Sequence, residues 1–220
     1  PGTIERGLQY AVETLPMFVG SMRAALPRVG GTPTVPQTPR RADAVSAVIA
    51  CSRDHADRMN VLHVGATGLV GRLVLARLLD ASAVARIVAP TRRALGSAHP
   101  KLHNPVIDFE ALPEAAEWWA VDAVICTLGT TLADAGSRDA FRRVDHDYPL
   151  QVARLARRHG AGTFALNSAL GANARSSIFY NRVKGELEAA LAALDYPALV
   201  LVRPGLIDGE REHERPGERR

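Results

Sequence analysis

The chain has 220 residues, 47% of them apolar and 23% charged, with a net charge of +4, which suits one well-buried domain and leaves little room for a second. Its arginines are interspersed with acids and form no dense basic stripe with interleaved aromatics, so nothing motivates a nucleic-acid partner. Cys51 and Cys126 are the two cysteines, too few for a disulfide framework or a zinc site; a reducing cytoplasm and no metal are the expectation.

No apolar run approaches the roughly 20 residues of a membrane span, and the opening residues lack a signal pattern, so no membrane partner is expected either. Residues 1–58 read as an amino-terminal extension of low order. "VGGTPTVPQTPRR" is a linker by composition, and Ile4, Leu8, Val12 and Leu15 give only weak helical periodicity. Glu5, Glu13, Asp43, Asp54 and Asp57 argue against a transit peptide, which is acid-poor.

From Met59 the texture changes. The apolar runs "VLHV", "RIVAP", "PVID", "VDAVICTLG", "GTFALNS" and "ALVLVRPG" alternate with helical segments, the pattern of a parallel sheet wrapped by helices. Residues 59–220 are therefore predicted to form an α/β domain, a Rossmann-type doubly wound parallel sheet that binds a dinucleotide.

The first strand runs into "GATGLVG". Gly65 permits a tight turn, Gly68 admits a pyrophosphate close to the backbone, and Gly71 lets the following helix lie near the sheet. Thr67, Leu69 and Val70 complete the turn at the positive end of that helix. The plain alternative is an ordinary strand-helix turn, since the triplet alone has low specificity. His63, inside the first strand, reads as a core residue, and no metal site is expected.

At the end of the second strand, Arg92 and Arg93 follow Thr91 where an NAD-specific site places an acid. A guanidinium there grips a 2'-phosphate, so NADP(H) is preferred and NAD(H) remains open, the alternative being a solvated arginine pair. Asp108, closing the third strand, is a candidate for the adenine amino group. Trp118 and Trp119 read as helical residues that pack or cap an interface. Leu128, Gly129 and Thr130, after the fourth strand, line the nicotinamide side. Asp145 and Asp147 suit the start of a long helix ahead of Pro149.

Ser168 ends the fifth strand. Tyr180 and Lys184 stand at i and i+4 on one helical face that continues through Leu187 and Leu191. A free phenol titrates at about pH 10; an ammonium one turn away has the right sign to favour its ionised form and fit it for proton transfer at a carbonyl oxygen. Ser168 would orient that oxygen. The alternative is a surface tyrosine beside a surface lysine. A serine hydrolase is excluded by the lack of a Gly-x-Ser-x-Gly elbow.

Together "GATGLVG", "TLGTT", "VDHDYP", "NSALGA", "FYNRVKGE" and "RPGLIDGERE" resemble the atypical short-chain dehydrogenase/reductase family, within it the Tat-interacting-protein-like group of NAD(P)H-binding proteins, from Met59 to near Arg220. The resemblance implies a catalytic triad of Ser168, Tyr180 and Lys184. It associates Arg92 with NADPH and sets Arg203 to Gly205, including Pro204, beside the nicotinamide. It also implies further elements beyond the sixth strand, so the chain reads as truncated at its carboxyl end. The expected function is an NADP(H)-dependent oxidoreductase acting on a small-molecule carbonyl/alcohol substrate, as a monomer or homodimer. The alternatives are a dinucleotide-sensing regulator without turnover and a nucleotide-sugar-epimerase-like enzyme.

Overall fold

The computed structural model describes residues 58–204. The leading extension, Gly205 and the polar tail after it lie outside the described residues. The elements in chain order are β1 (Met59–Val64), α1 (Leu69–Asp80), β2 (Val84–Val88), β3 (Leu102–His103), β4 (Ala123–Cys126), α2 (Leu132–Ala135), α3 (Arg138–Arg142), α4 (Tyr148–Arg158), β5 (Thr163–Asn167), α5 (Phe179–Ala192) and β6 (Ala198–Val202). The six strands form one sheet in the order β3-β2-β1-β4-β5-β6, and every pair of neighbours is parallel. The order reverses between β1 and β4, the switch point where such sheets open a crevice at the carboxyl ends of their strands.

Strand alternation divides the core into two layers. Leu62, Val64, Val124 and Phe164 face Leu150, Val152, Leu187 and Leu191, while Met59, Val61, Ile87 and Ile125 face Val74 and Leu78 of α1. Central strands covered on both faces are the reason for near-continuous apolar runs in the sequence.

The third strand is shorter than the sequence suggested and begins earlier. Its ladder with β2 continues beyond His103 through Ala89 N to His103 O and Thr91 N to Pro105 O. Pro105 has no amide to return, so the Asn104 side chain donates to Ala89 O at 2.5 Å in its place. Only an isolated bridge, Thr91 to Val106, follows. Asp108 thus starts a turn beyond the strand, its Oδ1 accepting from Glu110 N at 2.9 Å. The tryptophans are corrected as well. Trp118 and Trp119 form a 3-10 turn, Glu117–Trp119, both are buried, and Trp119 Nε1 donates to Pro113 O at 2.8 Å; they fill the core.

Asp145 and Asp147 do not open the helix. It starts at Arg138, capped by Ser137 accepting from Ala140 N, and runs into a π-helical turn, Arg143–Asp147, before α4. Pro149 accounts for this turn: a proline in a helix interior removes one amide and crowds the carbonyl four residues back, here that of Asp145, and a wider turn relieves both.

His63 is fully buried on β1, its Nε2 3.2 Å from Thr127 Oγ1. Burial lowers its pKa to about 3, so the folded protein holds it neutral. Because the folded value lies below the unfolded one, this stability is complete above about pH 6.5 and is lost as the pH falls toward 3. Between pH 7 and pH 4.5, urea denaturation is expected to show wild-type protein losing about 2–3 kcal/mol more than His63→Leu. Equal losses would assign the acid lability to other groups.

Candidate functional site

The site lies at the carboxyl edge of the sheet, where β1, β2, β4 and β5 deliver their following loops. Gly65 leaves β1 with φ +95°, and a methyl on it would lie 2.6 Å from the Thr127 carbonyl carbon; only glycine fits. At Gly71 a methyl would lie 1.9 Å from Gly65 O, so α1 meets the turn with no space between. Gly68 is different. Its φ of −72° and ψ of 168° suit any residue, and a methyl would meet nothing closer than Gly65 O at 3.5 Å. Among the described residues nothing requires a glycine there.

Gly68 is also the N-cap of α1, and no side chain caps this helix. Serine or aspartate would serve that position better. Thr67 and Gly68 are exposed, and the amides of the first turn, which a helix cannot satisfy internally, have no side-chain cap from Gly68 and are left to solvent or a ligand. The bare Cα of Gly68 leaves room for a group to come down onto those amides, and the helix end favours an anion. The turn therefore fits the diphosphate of a dinucleotide.

Beside it, Thr91 is buried and donates to Arg93 O at 2.6 Å. Asn104 donates to Thr91 Oγ1 and accepts from Leu95 N. These bonds fold the loop after β2 so that Arg92 and Arg93 are exposed at its tip. Asn104 was not identified from the sequence, where only its place before Pro105 hinted at a role.

On the other side of the crevice, Tyr180 lies in the first turn of α5, 39% exposed, its ring 5.7 Å from that of the buried Phe141. One turn below, Lys184 is buried, with its Nζ 2.8 Å from Asp145 Oδ1. Asp145 Oδ2 accepts from Thr130 N at 2.8 Å. A methyl on Gly129 would lie 3.4 Å from Asp145 Oδ1 and 3.6 Å from Lys184 Nζ, so the Leu128-Gly129-Thr130 loop rests directly on the ion pair. The ammonium therefore presents a dipole with its carboxylate rather than a lone positive charge, and its field at the phenol falls off faster than that of an unpaired ammonium. Cys126 is buried under this loop, and burial pushes its thiol up to about 11, so it is no nucleophile.

Ser168 does not join Tyr180. It is buried and donates to Glu188 Oε1 at 2.6 Å, and Glu188 also pairs with Arg203 through Nε at 3.0 Å and through Nη2. Glu188 follows Tyr180 by eight residues, about 12 Å along the helix axis, and a tyrosine in a helix leans back toward the N-terminus, away from Glu188. The serine belongs to a latch, buried at Ser168 and Glu188 and exposed at Arg203, that joins the end of β5 to α5 and to the exit of β6. Ser168 N to Val202 O and Leu170 N to Pro204 O draw Pro204 against the same loop. Gly185 lets that loop touch α5: a methyl there would lie 2.2 Å from Ala174 N.

No protein-family model matches the chain. It is 37% identical over 162 residues to the mitochondrial protein FMP52-1 of Scheffersomyces stipitis, covering 70% of each chain. It is 38% identical over 163 residues to HTATIP2 of Rattus norvegicus, covering 72% of this chain and 67% of that one. Among solved structures it resembles MoeE5 in complex with UDP-glucose and NAD, with a TM-score of 0.55, 16% identity and 66% of this chain covered. It also resembles the UDP-glucuronic acid 4-epimerase of Bacillus cereus in complex with NAD, with a TM-score of 0.54, 14% identity and 67% covered. The chain spans only 53% and 57% of those two structures, and they establish the fold alone. The cytoplasmic expectation is corrected: the FMP52 relatives are named mitochondrial, and a cysteine count reports on redox chemistry rather than on a compartment. On its sequence relatives, the chain belongs to the atypical short-chain dehydrogenase/reductase family, in the HTATIP2-like group.

Proposed function

We propose that the protein is an NADP(H)-dependent oxidoreductase acting on a small-molecule carbonyl/alcohol pair. The observation that carries this reading is Gly68, a glycine at an uncapped helix start whose missing side chain is required by none of the described residues. In this reading Gly65, Thr67, Gly68, Leu69, Val70 and Gly71 hold the diphosphate, and Asp108 meets the adenine. Leu128, Gly129, Thr130 and Pro204 border the nicotinamide. When bound, the dinucleotide supplies a hydride to the carbonyl carbon or accepts one from the alcohol carbon. Tyr180 moves the proton at the same centre, giving its hydroxyl proton to the carbonyl oxygen in reduction and taking it back in oxidation. Lys184 holds the ribose hydroxyls and so sets the distance between ring and phenol.

Arg92 and Arg93 give the NADP(H) preference. A guanidinium forms paired, charge-assisted hydrogen bonds with a 2'-phosphate. Nicotinamide fluorescence titration of Arg92→Ala is expected to weaken NADPH about 10- to 100-fold, as fits the loss of one or two such bonds, and NADH less than about threefold. Equal weakening of both would reject the 2'-phosphate role.

The placement of Ser168 favours a second reading, a dinucleotide-binding regulator that performs no turnover. In that case the Ser168 hydroxyl is not shared with Tyr180 on a substrate oxygen. NADPH binding without oxidation across a broad carbonyl panel, with Tyr180→Phe inert, would select it.

A further inference from the structure

Three segments far apart in sequence meet on one carboxylate. Asp145 comes from the π-helical turn, Lys184 from α5, and the Thr130 amide from the loop after β4. Side-chain exposure is 1% for Asp145 and 4% for Lys184. Neither is free to leave, because separating a buried pair strands a charge without solvent. The wide turn that Pro149 imposes is what brings Asp145 over α5.

We propose that Asp145 is the positioning residue of the site: it fixes the Lys184 ammonium and the Thr130 amide as one unit, so that the nicotinamide side of the crevice is set before the dinucleotide arrives. The proposal rests on the dinucleotide reading above. Lysine has a long stem with several rotatable bonds and loses considerable freedom when it is held. In this protein that cost falls on folding, and binding is relieved of it. The same carboxylate holds Gly129 and Thr130 against the lysine, so removing its charge loosens a backbone loop and a side chain together.

The chain has two lysines, Lys101 and Lys184, so protein labelled with ¹⁵N at the lysine side chains gives two ammonium signals. Lys101 donates to Leu79 O and Ala81 O, far from Asp145 in the fold, and serves as the internal reference. In Asp145→Asn the Lys184 signal is expected to shift or broaden into solvent exchange while that of Lys101 stays. NADPH affinity is expected to fall about tenfold, and Lys184→Met added to Asp145→Asn is expected to lower it less than about twofold further, since the two act as one unit. An unchanged Lys184 signal, an unchanged NADPH affinity or fully additive losses would each overturn the proposal.

The wild-type arm needs no variant to fold: a Lys184 ammonium that exchanges with solvent as fast as a free lysine also overturns it. Wild-type protein that binds no NADPH would instead remove the cofactor reading. The assignment of Asp145 would then be decided by the Lys184 signal alone.

Discussion

Tyr180→Phe is expected to reduce kcat for carbonyl reduction about 10²- to 10⁴-fold, the usual worth of a positioned general acid, with NADPH affinity held within about threefold. The change removes one oxygen and leaves the ring. Contact with Phe141 therefore persists, and the helix that carries Lys184 keeps its place. Hydride transfer would then have to generate an alkoxide with no proton donor at hand. The loss should fall on kcat rather than on cofactor binding, since the hydroxyl acts in the transition state. A kcat reduced less than about fivefold would reject Tyr180 as the proton donor.

Gly68→Val is expected to weaken NADPH binding by at least about 100-fold while the melting temperature changes by no more than a few degrees. The backbone at Gly68 is extended enough for a β-branched residue, and a Cβ there makes one ordinary contact. The protein therefore has no reason to unfold. A diphosphate resting on the first-turn amides would meet the new methyl groups directly, and a shift of about 1 Å already forfeits most charge-assisted hydrogen bonds. The neighbouring glycines provide no such separation of binding from folding. A side chain at Gly65 or Gly71 collides with backbone, so either substitution damages the turn itself. Unchanged affinity in folded Gly68→Val would remove the phosphate from this turn.

Short-range features were legible in the sequence. The strand-glycine-helix opening and the Tyr180–Lys184 spacing each depend on residues within one or two turns of each other, and the periodicity that marks them is local. The alternation of apolar runs with helical segments likewise gave the parallel sheet, because buried strands need apolar residues on both faces. The third strand was misplaced because its apolar run begins after the paired residues. The side chain of Asn104, standing in for the amide that Pro105 lacks, is a substitution that hydropathy does not register.

Long-range polar contacts were not legible. Asp145 and Asp147 looked alike as acids before a proline, yet one is buried against a lysine 39 positions later and the other is not. Ser168 stood at the expected end of its strand. Its side chain follows the register of the sheet, however, and that register turns it toward Glu188, two turns below Tyr180. A shift of one residue in a strand reverses the face, and no spacing rule in a single sequence fixes it to that degree.

The most direct measurement is a nicotinamide fluorescence titration of the folded wild-type protein with NADPH, with NADH alongside. We predict saturable binding at one site per chain, tighter for NADPH. A flat titration with both nucleotides, on protein shown by its melting transition to be folded, would contradict the claim that the turn at Gly68 holds a dinucleotide.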